Sequence, residues 1–143
     1  MLRVQSSIVY AIKILGVLYK GRGKPITAAE LSEKTDITYL YLMKIIKILR
    51  DKDMVISEQG RYGGYHLARK AEDISLYQVF CAVEGEINLY QPAEGDAPAG
   101  KEEIYLRTFF YTLGQTMQAK MREISIKDMI EECYRENLSV IGI

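Results

Sequence analysis

Apolar residues return at three- and four-residue spacings over positions 5–20, where Ile8, Ala11, Ile12, Leu15, Leu18 and Tyr19 share one side. That period predicts a helix with one buried face, and Gly21 and Gly23 supply its end. After Pro25, the string Thr27-Ala28-Ala29-Glu30 has the form of a capping box, in which a hydroxyl and a carboxylate reciprocally satisfy exposed backbone donors at a helix start. A short helix over residues 28–34 is therefore expected. Asp36 tolerates a left-handed turn and Thr38 can cap a new helix. That helix runs from Tyr39 to Asp51 with Leu42, Ile45, Ile46 and Leu49 on its inner side.

The period then shortens. Met54 to Ser57 reads as one strand, Gln59 to Gly64 as a glycine-rich reversal, and Tyr65-His66-Leu67 as a second strand. Ser75-Leu76-Tyr77-Gln78 repeats the capping-box pattern and opens a helix through Val79, Ala82 and Val83 that stops at Gly85. Residues 86–101, acidic and containing Pro and Gly, read as a loop. From Glu102 to Glu123, Leu106, Phe110, Leu113, Met117 and Met121 repeat every three or four residues, giving a helix of about 30 Å. Such an apolar stripe needs cover, and the same helix of a second subunit supplies it, so these five residues are the expected dimerisation set. Ser125 to Asp128 restarts a last helix through Cys133 and Tyr134, with a tail over 138–143 that packs or frays. The expected class is mostly α with a small β-hairpin wing: a winged helix-turn-helix plus a long dimerisation helix.

Composition sharpens this picture through charge. The formal net charge is zero, yet residues 1–70 hold 13 Lys and Arg against 6 Asp and Glu, and residues 71–143 hold 6 against 13. A first half at +7 suits a polyanion such as double-stranded DNA, while the second half at −7 has another task. The division expected is a DNA-binding region over 1–70 and a helical dimerisation and signal region over 71–143, sharing one core in a chain of 143 residues. No apolar run reaches the length of a membrane span and the N-terminal stretch lacks the form of a signal peptide, so a soluble, cytoplasmic protein with no membrane partner is expected. Cys81 and Cys133 form no CxxC pair and read as buried free thiols rather than metal ligands.

The two helices of a helix-turn-helix cross through small or apolar residues, and Leu31, Ser32, Ile37, Leu42 and Ile45 stand at the required spacings. With these inward, Thr38, Tyr39, Leu40, Met43, Lys44 and Lys47 face outward, where a major groove would lie. In the hairpin, Gly60, Gly63 and Gly64 permit close approach to a sugar-phosphate chain, and Arg61 is placed to enter a narrow minor groove. A nucleotide triphosphate loop is excluded because no Gly-Lys-Ser/Thr follows. An enzyme is not expected: the one histidine, His66, lies in a wing strand, and no catalytic set can be assembled around it.

Ile37-Thr38, Tyr41-Leu42, Leu49, Ser57, Gly60, Gly63-Gly64-Tyr65, Leu67-Ala68, Ile74, Val79 and Val83-Glu84-Gly85 resemble, in order and spacing, the Rrf-two family of winged helix-turn-helix bacterial transcription regulators. The resemblance covers most of residues 1–85. It implies a homodimer on a pseudo-palindromic operator, with Thr38, Tyr41, Met43 and Lys44 in the major groove and the wing tip, including Tyr62 and Gly63, at the minor groove. Cluster-bearing members carry three cysteines in the loop before the long helix, whereas Asn88 to Glu103 holds none. No cofactor is therefore expected. Gln59 stands where the wing often has an arginine, and Met43 where some members have a base-discriminating glutamate, so the operator sequence does not carry over. The main expectation is a cluster-free repressor answering to a small-molecule effector or a protein partner. The alternatives are a protein-interaction module on the same fold and a thiol- or cluster-based redox sensor.

Overall fold

In the computed structural model, which describes residues 3–90 and 94–135 apart from the Tyr134 side chain, helix α1 (Ser6–Lys20) lies at the centre of the packing. It touches α2 (Ala28–Thr35), α3 (Tyr39–Asp51), α4 (Leu76–Glu84) and α6 (Ile126–Arg135). Its periodic face explains this: Ile8, Ala11, Leu15 and Leu18 are buried, Ile12 and Tyr19 partly so, and Ile14 is fully buried on a second side. One core joins these to Leu31, Leu42, Ile45, Ile46 and Leu49, and also to Ile74, Val79 and Ile126 from the second half.

The turn between α2 and α3 follows from local chemistry. Asp36 adopts φ 58° and ψ 33°, the left-handed conformation that Asp accepts more readily than most residues. Ser32 Oγ donates to the Ile37 carbonyl across the turn, and Lys13 Nζ donates to the Thr35 carbonyl at 3.1 Å. Thr27 Oγ1 accepts from the Glu30 N–H at 3.2 Å, which is one arm of the anticipated box. Thr38 occupies the position before α3, but its hydroxyl makes no capping bond. That expectation is corrected: the side chain is exposed and left available.

Strands β1 (Val55–Glu58) and β2 (Gly64–Leu67) pair antiparallel, with Val55 opposite Leu67 and Glu58 opposite Gly64. A third piece of backbone joins them: Ile26 N donates to the Tyr65 carbonyl at 2.9 Å and accepts through its own carbonyl from Tyr65 N at 2.8 Å. This bridge ties the wing to the segment before α2. A short 3-10 turn at Ala71–Asp73 then leads to α4. Ser75 Oγ accepts from Gln78 N and Gln78 Oε1 accepts from Ser75 N, so both arms of the second capping box are made. Ser75→Ala is expected to lower stability by about 1 kcal/mol, read as a shifted urea midpoint with an unchanged slope.

The longest helix, α5 (Lys101–Glu123), has 23 residues and packs on α4. Loop residues are fastened to it. Arg107 donates to the Asp96 carbonyl at 3.0 Å, to Asp96 Oδ2 at 3.1 Å and to Glu103 Oε1 at 2.7 Å. Glu103 Oε2 accepts from Ala99 N at 2.6 Å. The Arg107 hydrogen bond, and then that of Ala99, holds the Glu103 carboxyl below the usual carboxylate range. Farther along, Gln118 Nε2 donates to the Ile87 carbonyl. No helix of the described residues is long and apolar enough to cross a membrane. The tail over 138–143 lies outside the described residues.

Candidate nucleic-acid interface

Helix α3 presents two chemically different sides. Leu42 and Leu49 are fully buried, and Ile45 and Ile46 are 1% exposed. On the other side Tyr39 is 54% and Leu40 84% exposed, and Lys44 and Lys47 stand in solvent. A large apolar residue so exposed is informative beside two lysines, because it places thymine-methyl chemistry next to cations on one helix face. Lys47 pairs with Asp51 at 3.4 Å, but both partners are exposed. Such a surface pair contributes little and leaves the lysine free to exchange onto a phosphate.

Two residues expected at this face are less available than their spacing implied. Met43 and Tyr41 are half-buried against the core, and the Tyr41 ring meets Tyr10 edge-on at 5.5 Å. Position 41 lies between the inner and outer sides of the helix, so a long side chain there shares itself between both.

The wing tip is open. Tyr62 is 83% exposed, Arg61 is exposed, and the Arg61 guanidinium lies 5.6 Å from the Tyr62 ring centre. Gly60 has φ +107°, and Gly63 N donates back to the Gly60 carbonyl at 3.1 Å. A Cβ on Gly63 would collide with the Glu58 carbonyl oxygen. Gly63 is thus required by the reversal itself, whatever else approaches it. His66 is bound within the wing, with Nε2 3.2 Å from Glu58 Oε1 and Nδ1 3.0 Å from the Leu67 carbonyl.

A second surface lies on α5. Ile104, Tyr105, Leu106, Phe109, Phe110, Tyr111 and Leu113 are between 43% and 67% exposed. Leu106, Phe110 and Leu113 are among the residues expected there, and sequence reasoning missed the other four because it followed a single stripe. Met121 needs correction: it is 8% exposed and buried within its own chain, and Met117 is half-buried. The physical reason is drift. Residues 106 and 121 are separated by about 60° around an ideal helix, which carries Met121 toward the side where Gly114 and Gln118 face the loop.

The Rrf2 family model, described as an iron-dependent transcriptional regulator, matches residues 4–132. The chain belongs to the Rrf2 family. Protein rrf2 of Nitratidesulfovibrio vulgaris is 28% identical over 123 residues, which span 83% of this chain and 80% of that protein. The HTH-type regulator IscR of Serratia proteamaculans is 24% identical over 130 residues, 90% of this chain and 79% of its own. Among solved structures, CymR, the global cysteine regulator of B. subtilis, superposes with a TM-score of 0.75 at 22% identity, covering 92% of this chain and 98% of CymR. IscR of T. potens gives 0.72 at 21%, covering 92% and 88%. This Rrf2 protein is a winged helix-turn-helix transcriptional regulator, and its family is one of regulators rather than enzymes.

The iron in the family's description finds no fitting set of side chains among the described residues. The loop over 86–100 contains neither Cys nor His. Cys81 is half-buried within α4 and Cys133 is exposed on α6, which corrects the reading of both as buried thiols. Helix α6 turns Ile126 and Ile130 inward, leaving Cys133 outside. Among the described residues, no group of three or more His, Cys, Asp and Glu side chains converges to hold a metal.

Proposed function

We propose that this protein is a cluster-free repressor that binds a pseudo-palindromic operator as a homodimer. The observation carrying the proposal is the outer face of α3, where Tyr39, Leu40, Lys44 and Lys47 are exposed although the opposite face is buried in the core. In this reading Thr38, Tyr39, Met43, Lys44 and Lys47 meet the major groove, Tyr41 positions the helix, and Arg61, Tyr62 and Gly63 follow the backbone into the minor groove. Residues 1–70 supply DNA binding and residues 71–143 supply dimerisation and response. Leu106, Phe110 and Leu113, joined by Tyr105 and Phe109, form the dimer contact. A two-fold pair of recognition helices demands half-sites about one helical turn apart, and thus a pseudo-palindrome.

Selection of genomic fragments by the purified protein tests this. Enriched fragments should share an inverted repeat, and their binding should weaken steeply with salt. Absence of any enriched repeat would overturn the DNA-binding assignment and favour a protein-interaction role. Lys44→Ala and Lys47→Ala should each lower the slope of log affinity against log salt by about 1 if the lysine meets a phosphate. A variant with an unchanged slope removes that lysine from the contact. A reporter fused to the enriched fragment should rise when the regulator is deleted; a fall would mark an activator.

A further inference from the structure

A cavity of about 440 Å³ opens where the segment entering α1, the end of α4 and the last two turns of α5 meet. Val4, Phe80, Ile87, Met117 and Met121 give it an apolar lining. Its volume falls in the range that holds small organic ligands. Asn88 completes the wall together with three charged side chains, Arg3 and, on either side of Gly85, Glu84 and Glu86. None of these three side chains has an ion pair or hydrogen bond among the described residues, so their charges are uncommitted.

Resting on the regulator reading above, we propose that this cavity is the effector site, and that the effector is an organic cation with an apolar body. Two carboxylates against one guanidinium leave the wall net negative, which favours a cationic ligand. Phe80 brings an aromatic ring into the lining, the kind of group that attracts cations. Met117 and Met121 are flexible and polarisable, suited to an apolar body of irregular shape. An anion would meet the two carboxylates, and a neutral molecule would gain nothing from their charge.

The site is also placed to act. One wall leads into α1, which packs on α2 and α3, and another is α5, whose exposed apolar residues lie one to three turns before Met117. A ligand seated there changes the relation between the DNA-reading helices and the dimer helix, and the two binding equilibria become coupled.

The test uses two isosteric probes of opposite charge on the full chain by calorimetry: tetraphenylphosphonium and tetraphenylborate. The phosphonium should bind at least tenfold tighter, and the double variant Glu84→Gln, Glu86→Gln should lose that preference while folding normally, since both residues are exposed. Operator affinity, measured separately, should be unchanged by the double substitution without ligand and altered several-fold by the phosphonium in the wild type alone. Equal or tighter binding of the borate, a preference that survives the double substitution, or no binding of either probe overturns the cation site. The last outcome includes filling of the cavity by the chain's own N-terminal residues or by a second copy. Binding without any change in operator affinity overturns the effector role. Because the probes bind in the absence of DNA, a failed operator selection would leave this measurement intact, so the two proposals fail independently.

Discussion

Phe110→Asp is expected to leave the chain folded but monomeric, and to lower operator affinity by 100-fold or more. Phe110 is 43% exposed and meets Phe109 edge-on at 5.5 Å, while Phe109 lies 6.4 Å from Tyr105. None of these rings is needed by the chain's own core, so a charge there costs the monomer little. In a dimer the same charge would be buried without a partner, which costs several kcal/mol. The effect on DNA follows from linkage. Two half-site contacts held in one dimer gain about 10²–10⁴ over a single contact through effective concentration. Sedimentation velocity gives the mass and gel retardation the affinity. If the variant remains dimeric, this face of α5 is not the interface, and the role of Leu106 and Leu113 falls with it.

The second large effect concerns Gly64→Ala. Gly64 has φ +152°, and a Cβ there would stand 2.7 Å from the Ile26 carbonyl carbon and oxygen. Both backbone bonds of the Ile26–Tyr65 bridge run past this point. The substitution must therefore push the wing away from the segment before α2, breaking the bridge. A loss of about 2–4 kcal/mol in unfolding free energy is expected, combining backbone strain with two broken buried hydrogen bonds. Gly60→Ala provides the contrast. Gly60 also has positive φ, +107°, but nothing lies within 4 Å of its Cβ position, so only local strain of about 1 kcal/mol applies. Urea denaturation of both variants separates the two causes. If Gly64→Ala costs no more than Gly60→Ala, the bridge is not what holds the wing.

The ordering of the loop over 94–100 rests on Arg107, Asp96 and Glu103 rather than on thiolates. Nothing in the spacing of these residues announced the clamp, because Asp96 and Arg107 are 11 positions apart across a loop-helix junction. Only the Glu103–Arg107 arm, at i and i+4, was visible in principle.

Local chemistry and periodicity were sufficient for the elements themselves. The bounds of α3, the left-handed Asp36, the Ser75–Gln78 box and the glycine reversal of the wing each depend on a few consecutive residues. Interactions of that range can be read along the chain. The charge reversal between halves and the bare loop likewise needed no coordinates. What periodicity could not supply is which of two neighbours an apolar residue meets. Tyr41 and Met43 turned partly inward against α1 and the core, and Met121 went to its own chain while Phe109 and Tyr105 stayed outside. A helix face reports that a side chain is apolar; only the position of other elements in space decides what covers it. The Ile26–Tyr65 bridge and the cavity beside Met117 have the same origin, since each joins segments distant in the sequence. The sequence by itself determined the elements, their order and the family pattern of the DNA-binding half, because those rest on short-range backbone and side-chain preferences. Tertiary structure alone decided which apolar side chains remain exposed and which charges remain unpaired, because those depend on packing between distant segments.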